Sequence, residues 1–187
     1  MSFQSLKNHL LIAMPNLSDL NFHRSVTLIC EHSDDGAMGI VINQPSGVQL
    51  IDLFEELDYE VDFHVDESRE VLSGGPVQVD RGFVIHRPCE QKWQSTLQVS
   101  DEVCVTTSLD IIKALADNAA PVDSYIALGY AGWEGGQLEE EILQNSWLTV
   151  PATADIIYSL PYTKRWEAAA NLLGIDIHHI SRDFGHA

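Results

Sequence analysis

Short runs of apolar residues, each closed by turn-forming residues, dominate the first half of the chain. The runs are rich in Val, Ile, Leu and Thr, and they alternate later with segments of helical periodicity. The pattern predicts strands over residues 10–14, 25–31, 37–43, 82–86, 103–106, 125–128 and 147–150. Because strands outnumber helices early and alternate with them later, we expect one mixed sheet in an α+β domain.

The second and third predicted strands are separated only by the turn residues 33–36. A connection this short joins antiparallel neighbours, since a parallel crossover needs about a dozen residues or more. We therefore predict a hairpin in which His32 faces Ala37 and Val26 faces Asn43.

Apolar residues recur at helical spacing in other segments. The clearest case is Leu50, Leu53, Phe54 and Leu57, which follow the i, i+3, i+4, i+7 pattern of an amphipathic helix. Further helices are predicted after a capping box formed by Thr107 and Asp110, from near Gln137, and from near Thr163 to Gly174.

The length of 187 residues and the hydrophobic content of 45% fit one soluble domain with its own core. No apolar run has the length of a membrane span or the form of a signal peptide. Cys30, Cys89 and Cys104 lie far apart without a C-x-x-C pair, which disfavours a disulfide framework or a zinc knuckle. These features predict a cytoplasmic protein in which Cys30 and Cys104 are buried apolar residues.

Charge is the strongest compositional feature of the sequence. Because 28 Asp and Glu stand against 10 Lys and Arg, the formal net charge is −18. Nucleic-acid affinity comes largely from neutralised phosphates, so this balance opposes direct DNA or RNA binding. Anionic membranes are disfavoured for the same reason, which leaves general solubility or a basic protein partner as explanations of the charge.

Signatures of the well-understood catalytic sites are missing from the sequence. It contains no Walker A loop, no G-x-G-x-x-G, no G-x-S-x-G and no H-E-x-x-H. His178, His179 and His186 lie near the C-terminus without the spacing of metal ligands. The residues themselves therefore assign no catalytic group, no metal and no cofactor.

A first candidate ligand site is the polar group at the open end of the predicted hairpin. Its members are Arg24, Ser25 and Asn43, with Gln44 beside them. Arg24 offers a planar fork that matches a carboxylate or phosphate, and Ser25 and Asn43 add hydrogen-bonding groups. The alternative is that Arg24 pairs with one of the many acidic residues and only fixes a loop.

Two further candidates involve histidines. Glu31 and His32 offer an acid and a base, but successive residues of a strand point to opposite faces. An extended strand also places Glu31 roughly 23 Å from Arg24, too far to form one site with it. His86 ends a predicted strand and is either a ligand-binding residue or a hydrogen-bonded structural one.

The glycine-rich segment 129–136, followed by a helix, is the most distinctive local feature. This order of elements is typical of sites that bind phosphate through backbone amides. Here residues 139–141 are all Glu and fill the first helical turn, where they would repel an anion. We therefore expect a tight turn with Trp133 packed over its glycines, and Gln137 and Glu141 on one helix face beside a small polar pocket.

Several separate blocks of the sequence together resemble the YqgE/AlgH family of small bacterial proteins. They are residues 13–15 (AMP), 22–26 (FHRSV), 31–32 (EH), 36–45 (GAMGIVINQP), 74–77 (GGPV), 82–86 (GFVIH), 128–133 (LGYAGW), 136–139 (GQLE), 147 (W) and 184–187 (FGHA). The resemblance implies an α+β fold in which a mixed, bifurcated β-sheet forms a small barrel with helices packed around it. It also implies a single domain over residues 1–187.

For function, the resemblance implies a regulator of transcription, but it carries over no catalytic residues. The sequence has no helix-turn-helix pattern and no basic face, so such a role would work through another protein or a small ligand. The leading hypothesis is therefore a non-enzymatic binding or regulatory protein. The alternative is an enzyme of unrecognised type with a polar pocket near Arg24, Ser25 and Asn43. The candidate ligand-binding residues are Arg24, Ser25, Asn43, His86, Trp133 and Gln137.

Overall fold

The computed structural model describes residues 3–183, and the elements named below belong to this part of the chain. The strands are β1 (His9–Ala13), β2 (Val26–Ser33), β3 (Gly36–Val41), β4 (Pro45–Gln49), β5 (Glu70–Ser73), β6 (Val77–His86), β7 (Thr96–Gln98), β8 (Cys104–Thr106), β9 (Ser124–Glu134) and β10 (Trp147–Pro151). The helices are α1 (Leu50–Glu56), α2 (Leu109–Ala116), α3 (Gln137–Leu143), α4 (Arg165–Asn171) and α5 (Ile177–Asp183), with a π-helical turn (Asp155–Ser159) and a 3₁₀ turn (Tyr162–Lys164) ahead of α4.

One curled sheet contains eight of these strands in the order β10-β1-β2-β3-β9-β6-β8-β7, and off this path β5 pairs with β9 and β4 pairs with β5. The sheet divides along one edge of β9, where residues 127–128 pair with β5 and residues 131–134 pair with β3. Within residues 3–183 every strand pair is antiparallel except β5–β9, which is parallel. The sheet curls into a half-barrel with helices packed on it, which confirms the α+β class and the mixed, bifurcated sheet.

Side chains alternate between two cores on opposite faces of the sheet. Along β6, Phe83 and Ile85 point into the half-barrel, whereas Val84 points outward against α1 and α2. Successive strand residues face opposite sides, so a nearly continuous apolar run fills both cores. The inner core is covered by α4, whose Trp166 indole donates a hydrogen bond to the Ala13 carbonyl at 2.9 Å. A third cluster lies beneath α3 and contains Trp133.

The hairpin of β2 and β3 has the predicted turn, and His32 pairs with Ala37 as expected. The predicted pairing of Val26 with Asn43 is wrong by one residue. A bulge between Ile29 and Glu31 shifts the ladder, so that the bonded partner of Val26 is Ile42. A bulge adds one unpaired residue to one strand, and hydrophobic periodicity alone does not reveal it.

The interpretation of residues 129–136 as a loop is also wrong. Strand β9 continues through Glu134, and only Gly135 and Gly136 form the turn into α3. Glycine has low strand propensity, but pairing with β3 along residues 131–134 overrides that local preference. The segment is therefore part of the sheet and not a phosphate-binding loop.

Helix starts differ slightly from the predictions. The N-cap of α2 is Ser108 instead of Thr107, and the Ser108 hydroxyl lies 2.5 Å from the Asp110 carboxylate. The last long helix begins at Arg165 after the 3₁₀ turn, two residues later than predicted. Strands β4, β5 and β7 and helix α5 were not predicted, since each is short and carries weak periodicity.

Cys30 and Cys104 are buried, as expected, and Cys89 is exposed. Burial raises the pKa of the Cys30 thiol to about 12, with a further rise caused by the neighbouring Glu31 carboxylate. Burial also raises the pKa of Cys104. Since the thiolate is the reactive form, neither buried cysteine is a nucleophile at neutral pH.

Candidate functional site

The polar group predicted at the open end of the hairpin does come together, but its amides bind backbone. Asn43 accepts a hydrogen bond from the Val26 amide and donates one to the Arg24 carbonyl, both at 2.8 Å. Gln44 donates to the His23 carbonyl at 3.2 Å. These bonds fix the ends of β2 and β3 and use one donor and one acceptor position of the Asn43 amide.

Arg24 itself is exposed and has left-handed backbone geometry, with φ of +52°. Its guanidinium lies 5.3 Å from the centroid of the Trp166 ring, a cation–π contact. Among the described residues Arg24 forms no ion pair with a carboxylate, so the structure does not show the predicted pairing with an acidic residue. Ser25 is fully buried, and neither residue lines the cavities described below.

Gln137 and Glu141 share one face of α3, as the helical spacing predicts, and the structure adds Trp133 as a further partner of Glu141. The Trp133 indole donates to Glu141 at 3.0 Å, and the Trp147 indole donates to the same oxygen at 2.8 Å. Gln137 donates to the second Glu141 oxygen at 3.0 Å and accepts from the Glu134 amide at 2.9 Å. These groups satisfy one another and join α3 to the sheet, a structural role.

His86 is buried and bonded on both ring nitrogens. One nitrogen lies 2.7 Å from the Thr106 hydroxyl and the other 2.8 Å from the Arg87 carbonyl. Burial lowers the pKa of His86, and the bond to the Arg87 carbonyl opposes that effect in part. His86 also borders a cavity of about 390 Å³ together with Cys89 and Cys104.

Glu31 and His32 both border one cavity of about 480 Å³ at the hairpin. They pair in regular register with Met38 and Ala37, so their side chains leave opposite faces of the strand, as expected. His32 accepts a bond from the Leu6 amide at 2.9 Å and lies 2.8 Å from the Glu139 carboxylate. It is therefore held in a fixed tautomer, with both ring nitrogens engaged.

Residues 3–183 contain no group of three or more His, Cys, Asp or Glu side chains arranged to hold a metal ion. Residues 184–187, which include His186 and the last family-like block, lie outside the described part of the chain. No helix in the described part is both long and apolar enough to span a membrane.

The concave face of the half-barrel holds the cavity best suited to a ligand, which we call the trough. Its volume is about 490 Å³, within the range of small-molecule sites. Strand alternation builds its apolar floor, since Phe83 on β6, Leu97 on β7 and Val105 on β8 all face inward. Met38 and Tyr130 close the floor from β3 and β9.

Two charged side chains stand at the rim of the trough without an ionic partner among the described residues. The Arg81 guanidinium lies 5.5 Å from the Phe83 ring centroid and donates to Gln78 at 3.2 Å. Glu31 is exposed on the opposite strand, β2. An apolar floor with a few convergent polar groups is the usual composition of a small-molecule site.

Sequence reasoning missed the trough because its walls come from separate segments. The alternation over residues 82–86 was recognised and does place Phe83 inward. The partner strand β7 was not predicted, so the Leu97–Val105 pair had no place in the analysis. Arg81 precedes the predicted strand and carried no signal other than its charge.

Comparison with known proteins places this chain among bacterial homologues. It is 53% identical to a UPF0301 protein of Saccharophagus degradans over 99% of this chain and 90% of that protein. It is 54% identical to a UPF0301 protein of Thioalkalivibrio sulfidiphilus over 96% of each chain. The solution structure of the AlgH protein from Pseudomonas aeruginosa is 44% identical, covers 100% of both chains and superposes with a TM-score of 0.79.

A crystal structure from Corynebacterium diphtheriae shares the fold, with a TM-score of 0.67 at 19% identity over 95% of this chain and 85% of that chain. The family model described as AlgH-like matches residues 10–178, which is most of the sequence. The resemblance inferred from the separate sequence blocks is thereby confirmed, and the chain belongs to the AlgH-like family.

Proposed function

We propose that this protein is a non-enzymatic binding domain whose trough takes a small amphipathic organic molecule. The observation that carries the proposal is the cavity of about 490 Å³ that continues the apolar core and ends at two unpaired charges. An apolar or aromatic part of the ligand packs on Phe83, Leu97 and Tyr130. Its polar head meets Arg81.

The composition of the trough supports binding without chemistry. Its lining contains no His, Cys or Lys, and its hydroxyls at Ser95 and Thr107 bond to each other at 3.0 Å. Covalent catalysis needs a nucleophile next to a base, and no hydrogen bond joins a hydroxyl of the described lining to the Glu31 carboxylate. The lining therefore offers shape and polarity, which are the elements of recognition.

The proposed site fits a regulatory role that does not use direct DNA contact. A net charge of −18 opposes phosphate binding over the surface as a whole. A ligand held between β2, β3 and β6–β9 would contact most of the half-barrel and could alter how the surface meets a protein partner. Regulation would then act through ligand occupancy of a cytoplasmic protein.

Fluorescence titration with the anionic dye anilinonaphthalene sulfonate tests this proposal. We expect saturable binding to the wild type, and a loss of affinity of about tenfold or more in Leu97→Glu, because a carboxylate placed in the apolar floor is poorly solvated there. Leu143→Glu is the matched control, since Leu143 is 83% exposed on α3.

Arg81→Gln separates the polar head from the apolar floor. It should weaken the anionic dye while leaving the neutral dye Nile red unchanged, and Lys113→Gln, which removes a surface charge on α2, should change neither. Circular dichroism establishes that each variant is folded. Equal dye affinity in wild type and Leu97→Glu, or no saturable binding at all, would refute the proposal.

A further inference from the structure

A second cavity, of about 280 Å³, lies at the other side of the inner core between β5, the start of β9 and the two helical turns before α4. We call it the Arg165 pocket. Arg165 and Arg69 both line it, together with Tyr125, Tyr158 and Tyr162. It shares no lining residue with the trough.

Arg165 is a buried charge without a countercharge. It is only 6% exposed, and no carboxylate among the described residues pairs with it. Its Nε donates to the Leu160 carbonyl at 3.1 Å and its Nη1 to the Ile42 carbonyl at 2.5 Å. These bonds use two of the five N–H groups of a guanidinium and supply no negative charge. Buried charges are normally paired, so the remaining N–H groups of Arg165 at the cavity are suited to bind an anion.

Tyr125 adds a hydroxyl at the same place. Its ring centroid lies 4.9 Å from the Arg165 guanidinium. Its hydroxyl is buried and interacts with the Arg165 guanidinium, which leaves the hydroxyl proton without an acceptor among the described residues. Burial raises the pKa of Tyr125 to about 12, while the nearby Arg165 charge acts in the opposite direction. The hydroxyl is therefore protonated at neutral pH and is a donor for an incoming oxygen atom.

A second guanidinium, that of Arg69 immediately before β5, also lines the pocket. Arg69 donates to the Ser124 carbonyl and forms no ion pair within residues 3–183. Of the two acidic residues in the lining, Asp123 is engaged by Arg87 at 2.6 Å, and Glu70 is exposed. Two unpaired guanidiniums at one cavity are notable in a chain of net charge −18.

We propose that the Arg165 pocket binds a small phosphate monoester that carries a flat ring. Guanidinium forks match phosphate oxygens in pairs, and two cations favour a dianion over a monoanionic carboxylate. Tyr158 and Tyr162 supply aromatic walls for a ring attached to the phosphate. The volume of about 280 Å³ lies at the lower end of the usual range of ligand pockets, which suits a small molecule.

Isothermal titration calorimetry in a phosphate-free buffer of low salt tests the pocket, with phenyl phosphate, inorganic phosphate and benzoate as probes. We expect phenyl phosphate to bind more tightly than inorganic phosphate, because of the aromatic walls. It should also bind more tightly than benzoate, because of its second charge. If benzoate binds as tightly as phenyl phosphate, the assignment to phosphate is overturned. If neither probe shows saturable binding, the site itself is overturned.

Variants locate the binding. Arg69→Gln should weaken phenyl phosphate about tenfold or more, as expected for loss of one charge-assisted contact. A folded Arg165→Lys variant should weaken phenyl phosphate to a similar extent. If that variant does not fold, the affinity of Arg69→Gln alone tests the proposal. Lys113→Gln, which removes a surface charge on α2 away from both cavities, is the matched control and should bind phenyl phosphate like the wild type. Equal weakening by Lys113→Gln, or none by Arg69→Gln, would overturn the proposal without bearing on dye binding in the trough.

Discussion

His86, at the end of β6, is a buried polar residue whose surroundings change its pKa. Its ring is 1% exposed, and its two hydrogen bonds to Thr106 and to the Arg87 carbonyl replace those it would make to water. Desolvation disfavours the imidazolium form, which lowers the pKa of His86 in the folded protein. The unfolded chain has no such burial, so its histidine titrates near 6.5.

This difference predicts a pH dependence of stability. Below about pH 6.5 the unfolded chain binds a proton at His86 before the folded protein does, so the free energy of unfolding falls as the pH is lowered. The neutral His86 ring thus makes its full contribution to the free energy of unfolding above that pH, and this contribution is lost on acidification. Urea unfolding from about pH 8 to 5 measures the slope.

His86→Gln should lower stability by about 1–3 kcal/mol at pH 8, because it disturbs two buried hydrogen bonds. It should also flatten the fall in stability below about pH 6.5. The two proteins should keep a constant difference above pH 7, which provides the internal control. Parallel curves over the whole range would show that His86 does not contribute to the slope.

At the level of elements, β9 decides the architecture because it pairs on both edges and divides one of them. Gly129 lies where the pairing with β5 gives way to the pairing with β3. Its φ is +77°, and a Cβ placed there would overlap the Gly75 carbonyl oxygen. Neither feature tolerates a side chain, which is why a glycine occupies this point of the sheet.

Two glycine substitutions separate backbone conformation from close contact. Gly136 also has positive φ, +81°, but a Cβ there would meet nothing within 4 Å. Gly136→Ala should cost only the left-handed conformation, about 1–2 kcal/mol. Gly129→Ala should lower the free energy of unfolding by about 1–3 kcal/mol more than Gly136→Ala does, because its Cβ would also overpack against Gly75. Urea unfolding of both variants gives the comparison, and equal losses would mean that β9 and the Gly75 loop move apart without penalty.

On the scale of the whole molecule, charge dominates the surface. Acidic residues outnumber basic ones by 28 to 10, and the described ion pairs include few of them. Repulsion among like charges opposes the compact state, and salt screens it over about 10 Å at 0.1 M. At the two proposed ligand sites, Arg81, Arg69 and Arg165 form no salt bridge with a carboxylate of residues 3–183.

The net charge predicts that salt stabilises the fold. The free energy of unfolding should rise with sodium chloride and level off by roughly 0.5 M, once the charges are screened. Chemical unfolding in urea, which is uncharged, measures this without adding ions. A linear rise without a plateau would instead indicate exclusion of salt from the surface, and no rise would contradict the repulsion argument.

Local pattern was sufficient for the hairpin turn, the burial of Cys30 and most strands. These features depend on neighbouring residues, whose alternation or spacing is visible directly in the chain. The predicted meeting of Arg24, Ser25 and Asn43 followed from the same local logic. Their predicted use as ligand groups stays untested, although the structure shows Asn43 bound to backbone.

The sequence by itself determined the class of fold and the periodic burial of its strands, because hydrophobic alternation is a local property of the chain. The tertiary structure alone decided the bulge beside Glu31, the passage of β9 through its glycines, and both cavities. Arg165 binds the carbonyl of Ile42 across 123 positions of sequence. A contact between residues so far apart depends on how every intervening element packs, and no local pattern encodes that.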